Sequence, residues 1–194
     1  KESLIRNTNF KVVLTRSEDV FLSLEDRITI ATQSGADLFI SLHADAVIEG
    51  EASGTTVYLL SENATDKMSA QLASRHDRSE ILRDVDLSGI DSQVASILID
   101  IARQETKPRN EAVASFILQV FRKKITQLSS QPLRYAAFSV LKSPDIPSIL
   151  IEAGFMSTSS DLQNLITPHW RVEFADALSE AILRWQIKDK QQKF

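Results

Sequence analysis

The 194-residue chain contains no cysteine, which excludes disulfides, thiolate zinc sites and a cysteine nucleophile. Any metal site must therefore draw on His, Asp and Glu, a donor set that suits catalytic zinc better than structural zinc. Histidine is scarce as well, with only His43, His76 and His169 present. The positive excess needed for general binding to nucleic acid or anionic membranes is missing. Its 22 Lys and Arg stand against 26 Asp and Glu, a net charge of −4. No apolar run approaches the roughly 18 residues of a membrane span. No charged n-region with an apolar h-region opens the chain, so no signal peptide is expected within it. Internal repeats and low-complexity tracts are also absent. What remains is a globular balance of 43% hydrophobic and 25% charged residues, at a length suited to one domain or one domain with an insertion.

Lys1 to Asn9 reads as the tail of a helix and a polar turn, with no capping signal before it, so the chain is expected to begin inside an element. Phe10 to Thr15 has the β-branched content of a strand. Ser23 is an N-cap candidate with Glu25 and Asp26 in the first turn, and Gly35 closes the helix that follows. Leu38 to Leu42 is an apolar run too short for a helix and reads as a buried strand ending in His43. Thr55 to Leu60 is the next strand, and this alternation indicates an α/β layered fold. From about Asn63 to Pro108 the pattern turns helical and charged. Ala64 to Ser74 can form a helix, Asp84 to Gly89 a connector, and Val94, Ile97, Leu98 and Ile101 one apolar stripe. Thr106 to Asn110 is expected to break that helix before a core helix through Val113, Phe116, Ile117, Val120 and Phe121. Strand signals return at Tyr135 to Leu141. Ser148 to Ile151 reads as a central strand buried on both faces. Thr167 as N-cap and Pro168 as first helical residue start a last helix with Trp170, Phe174, Leu178, Ile182 and Trp185 on its core face.

Two strands end in one ionisable group beside small residues. His43 reads equally as a metal ligand and as a satisfied strand-end histidine. Glu152, in Glu152-Ala153-Gly154-Phe155, reads as a partly desolvated carboxyl suited to proton transfer, or as an exposed or salt-bridged strand end. If the two strands are neighbours, both groups face one cleft, the arrangement of metal-assisted hydrolysis. By spacing alone, His76 is a surface residue of the charged stretch and His169 a solvated residue at a helix start.

The chain also resembles a known family. Val13 to Arg16, Ser23 to Arg27, Ala36 to Asp45, Gly54 to Tyr58 and Val140 to Ser157 follow in order the pattern of the zinc-dependent N-acetylmuramoyl-L-alanine amidases. The helical stretch after Leu60 is similar to that of the cell-division amidases of Gram-negative bacteria. The resemblance implies a mixed, mostly parallel sheet flanked by helices, interrupted by a helical regulatory insertion. The division would be residues 1–62 and 109–194 for the catalytic domain and 63–108 for the insertion. It implies a periplasmic enzyme that hydrolyses the amide between N-acetylmuramic acid and L-alanine in peptidoglycan, in cell-wall turnover and daughter-cell separation. His43 would be a zinc ligand and Glu152 the catalytic glutamate.

There are departures from the family pattern. The Asp-Pro-Gly-His-Gly-Gly segment that carries the first zinc histidine has no counterpart, nor does the glutamate ligand at the start of the first helix. The comparison therefore implies a fragment with one of three family ligands, a sheet lacking its first strand, an incomplete zinc site and little or no activity. Thr158 stands where an asparagine is usual. In the division amidases a glutamate from an inhibitory helix can occupy the zinc's open position. The matching position here holds His76, with Glu80 as the plug in another register. A periplasmic activator of the LytM type would displace that helix by docking on the Val94 to Ile101 stripe, which reads equally as the insertion's own core. In a different class stands a non-catalytic peptidoglycan-binding or scaffold protein that keeps the fold without the metal.

Overall fold

Every residue of strand β4 (Ser148–Glu152) is buried, as its unbroken apolar run requires. In this computed structural model, residues 1–47, 52–81, 93–125 and 127–192 are described, with the backbone alone at 7, 79–81, 93–104 and 192. The sheet order is β1-β4-β2-β3, with β1 at Phe39–His43, β2 at Thr55–Leu60 and β3 at Leu128–Ala136. β4 runs parallel to β1 and antiparallel to β2, while β2 and β3 are parallel. The sheet is thus mixed and mostly parallel, flanked by helices, as expected.

Side chains alternate across a strand, so one buried strand feeds two cores. Val57, Leu59, Ile149 and Ile151 pack on one face with Val113, Ile117, Phe121, Phe174, Ile182 and Trp185. The last three belong to α6 (Pro168–Gln192) and the first three to α4 (Gln93–Lys124), where Phe121 meets Phe174 at 5.1 Å between ring centroids. Tyr58 and Leu150 face the other way, toward Ala31 of α2 (Leu24–Gln33), Leu72 and Ala73 of α3 (Lys67–Ile81), and the short 3-10 turn Ser139–Leu141. Two small helices complete the order: α1 (Glu2–Asn7), packed on α6, and α5 (Ser159–Ile166). Arg109 clamps α4 to α6 through two bonds to Asp189, at 2.7 and 2.8 Å.

Several local expectations hold. Ser23 Oγ accepts from Asp26 N at 3.0 Å, and Gly35 adopts φ +64 just after α2. Others are corrected. Phe10 to Thr15 forms no strand. β-branched content yields a strand only where a neighbour offers a ladder, and among the described residues β1 pairs only with β4. The break expected at Thr106 to Asn110 is absent, and α4 runs through Pro108. A proline removes one intrahelical bond, which the buried residues from Val113 onward and the Arg109 clamp outweigh. The strand expected at 135–141 lies earlier, and its second half is the 3-10 turn. Thr167 precedes α6, but its hydroxyl donates back to Gln163 O at 2.6 Å instead of capping that helix. The connector at 84–89 lies outside the described residues, as do the side chains of the 94–101 stripe and of Glu80.

Candidate metal centre

β1 and β4 run in register so that His43 and Glu152 are paired residues at adjacent strand ends. The condition under which they share one cleft is therefore met. The chain then turns, and the Asp45 amide donates to Glu152 Oε2 at 3.2 Å. From the opposite side α3 brings His76, whose Nε2 lies 2.5 Å from Asp45 Oδ2. The His43 and His76 rings meet edge-on at 4.5 Å between centroids. His76, read from spacing as a surface residue, is thus part of the centre, whereas His169 is exposed and pairs with Glu173 on its own helix.

Helix α3 is held over the strand ends at its start and again beside His76. At its start, Asp66 Oδ1 caps Ser69 N at 2.7 Å and Asp66 Oδ2 pairs with Arg134 at 2.8 Å. Thr65 Oγ1 accepts from Tyr135 N at 2.7 Å. Beyond His76, Asp77 accepts from the amide and the hydroxyl of Ser139, at 3.2 and 2.9 Å.

The electrostatics differ between the two carboxyls. Burial raises the Glu152 pKa well above its usual value, and the charge of Asp45 adds to this. The Asp45 amide and the charge of Arg75 offset only part of the rise. Burial also pushes Asp45 up, but the hydrogen bonds and charges of His43 and His76 prevail and hold it far below the usual carboxylate range. One carboxyl is thereby suited to holding a proton and its neighbour to staying ionised.

His43, Asp45, His76 and Glu152 each offer a ligand atom, all within 4.8 Å of one another. Ligands around tetrahedral zinc stand roughly 3.4 Å apart for bonds near 2.1 Å, so small side-chain rotations would close the set. Imidazole and carboxylate are ligands zinc accepts. Glu152 Oε1 is buried and, among the described residues, has no hydrogen-bond partner, as expected of an oxygen awaiting a cation or a proton. The residues present fit a metal. Four groups converge where one ligand was counted from sequence, so the expectation of an inactive chain finds no support. Asp45 was missed as a member. Its signal was the His-x-Asp spacing at a strand end, a short reach back over the same site.

An α/β fold with a His, Asp and Glu cluster at its strand ends defines a candidate metal-assisted hydrolase. The family model for N-acetylmuramoyl-L-alanine amidase matches residues 1–184, and the chain belongs to that family. It is 34% identical to N-acetylmuramoyl-L-alanine amidase AmiA of Escherichia coli K12 over 184 residues, 94% of this chain and 63% of the relative. It is 35% identical to AmiC of Escherichia coli O6:H1 over 175 residues, 90% of this chain and 42% of that protein. The chain thus spans under two thirds of the length of either. Among solved structures it resembles the catalytic domain of CwlV, N-acetylmuramoyl-L-alanine amidase from Bacillus (Paenibacillus) polymyxa var. colistinus. The TM-score is 0.62 at 21% identity, over 95% of this chain and 77% of the other, a likeness of fold.

Proposed function

We propose that this chain carries the hydrolytic centre of a periplasmic zinc amidase that cleaves the N-acetylmuramoyl–L-alanine amide of peptidoglycan, with α3 as its inhibitory element. The observation that supports it is the in-register pairing of His43 with Glu152 beneath His76. His43 and Asp45 would hold the metal, with His76 as an added ligand only while α3 lies over the site. When bound, zinc supplies a Lewis acid that polarises the amide carbonyl and acidifies water.

The protein's own part is orientation and proton transfer. Ser41 Oγ lies 2.9 Å from His43 Nε2, a bond that fixes the ring and leaves Nδ1 facing Asp45, 3.9 Å from Oδ1. Such outer partners set a ligand histidine's tautomer. Glu152, with its raised pKa, takes the proton of the attacking water and returns it to the alanine nitrogen as the C–N bond breaks. Water's hydroxyl ends on the muramic carbonyl and its proton on the amine.

His76 is our choice for the plug, because it comes from α3 and meets His43 and Asp45 directly. Residues 63–108 would then be the regulatory insertion, with its far boundary inside α4, and an activator of the LytM type would release α3. Zinc analysis and muropeptide cleavage by the purified protein test the reading. About one zinc per chain is expected, lost in His43→Ala, with Glu152→Gln keeping zinc but not cleavage. Failure of the unaltered protein to bind zinc contradicts the proposal and favours a non-catalytic scaffold.

A further inference from the structure

Two adjacent residues of α3 are gripped by two adjacent residues of the sheet side. His76 and Asp77 follow one another on the helix, and Phe138 and Ser139 follow one another where the chain leaves β3. The His76 ring meets Phe138 edge-on, at 5.5 Å between centroids and 82° between planes, a favourable geometry for an aromatic pair. Asp77 accepts from the Ser139 amide on Oδ1 at 3.2 Å and from its hydroxyl on Oδ2 at 2.9 Å.

On the sheet side the grip is firmly seated. Phe138 is fully buried and rests edge-on against Tyr58 of β2 at 5.2 Å. Leu141 N donates to Phe138 O and Lys142 N to Ser139 O, both at 3.1 Å, so the 3-10 turn fixes both residues. On the helix side the hold is slight. Leu72 and Ala73 are the described α3 residues that enter the apolar core, and both precede His76. Arg75 and Arg78, which flank the gripped pair, are exposed, and Arg78 turns back to Ser74 of its own helix at 2.9 Å. An element with few buried apolar contacts opens locally at low cost. Bonds to a charged acceptor, about twice as strong as neutral ones, therefore weigh heavily there.

We propose that Phe138 and Ser139 are positioning residues, a latch that keeps His76 seated over the site and sets how often α3 releases it. The proposal rests on the reading of His76 as the plug. Phe138 places the imidazole, which also meets His43, and Ser139 places the helix through Asp77. Because the two contacts are adjacent on both partners, they are made and broken together.

The test uses the whole zinc-loaded chain and Ser139→Ala. Ser139 is half-buried and its amide bond to Asp77 survives the change, so the fold is kept, and slow exchange around Phe121 in α4 verifies this. Hydrogen exchange of amides 74–78 and muropeptide cleavage are measured together, since both scale with the open fraction while the open form is rare. Loss of one bond to the carboxylate is expected to raise each about tenfold. Ser139→Thr, which keeps a hydroxyl, should restore both. Phe138→Leu keeps an apolar side chain in the core without the ring and should raise both in the same proportion. Faster exchange in Ser139→Ala without faster cleavage overturns the latch, because the contact is then structural alone. Unchanged exchange overturns it too, and leaves the amidase reading intact. Unchanged rates in Phe138→Leu overturn it as a joint seat. In a protein that takes up no zinc, faster exchange confined to α3 with shifted His76 ring signals upholds the seat and removes the amidase reading.

Discussion

Replacing Asp161 by alanine should destabilise the protein and loosen its site together. Asp161 lies in the first turn of α5 and is 2% exposed. Its Oδ2 accepts from the Gly54 amide at 2.8 Å and from the Phe155 amide at 2.9 Å. These donors flank Glu152 on both sides: Phe155 follows it by three residues, and Gly54 precedes Thr56, its antiparallel partner. Truncation strands two buried N–H groups, each costing about 1–3 kcal/mol. The loss is then about 2–6 kcal/mol, a large part of the roughly 5–15 kcal/mol of a typical domain. Asp161→Asn keeps one carbonyl acceptor and should cost about half as much, since neutral bonds are about half as strong. Urea unfolding of the three proteins gives the comparison, and zinc affinity reports whether Glu152 has shifted. A loss below about 0.5 kcal/mol for Asp161→Ala, the scale of an ordinary surface change, would falsify this account. Equal costs for Asn and Ala would move the effect from the two bonds to the charge.

Gly54→Ala should be among the worst single changes available. Gly54 has φ +79, and a Cβ there would lie 2.5 Å from both Leu128 C and Ser129 N. Backbone cannot yield as a side-chain tip can, so soluble expression or the urea midpoint should fall sharply, and near-normal stability would contradict the close approach of β2 and β3. The third prediction concerns pH. Burial raises the Asp66 carboxyl, but the Ser69 hydrogen bonds and the Arg134 charge prevail and leave it below its usual 3.8. A carboxyl depressed on folding stabilises above its unfolded pKa, and that contribution is lost as pH falls through the folded value. Asn caps a helix as well as Asp, so the stability gap between the unaltered protein and Asp66→Asn reports the charge paired with Arg134. It should be full at neutral pH, about 0.5 kcal/mol as for a part-exposed ion pair, and close progressively below pH 3.8. Hydrogen exchange of the first turn of α3 should follow the same course. A gap independent of pH would remove the carboxylate from this role.

Much of the architecture could be read from local pattern. Ser148 to Ile151 announced a doubly buried strand because an unbroken apolar run leaves no face for water, and it became the inner strand β4. The two helices lining its inner face were equally evident, as Phe121 and Phe174 recur at helical spacing beside other large apolar residues. Phe10 to Thr15 misled for the opposite reason. Its strand propensity is local, but a strand exists only when another chain segment supplies hydrogen bonds. The helix through Pro108 misled because its support comes from Asp189, 80 residues away in α6.

The sequence by itself determined that any metal must be held without thiolates, that His43 and Glu152 close two apolar strand runs, of which only the second proves buried throughout, and which family those strands belong to. These follow from composition and from periodicities written into neighbouring residues. Only the tertiary structure decided that the two strand ends are paired in register, that Asp45 turns back onto Glu152, and that His76 descends from α3 to meet them. Each depends on which faces bury against which, and that is settled by packing the whole chain at once.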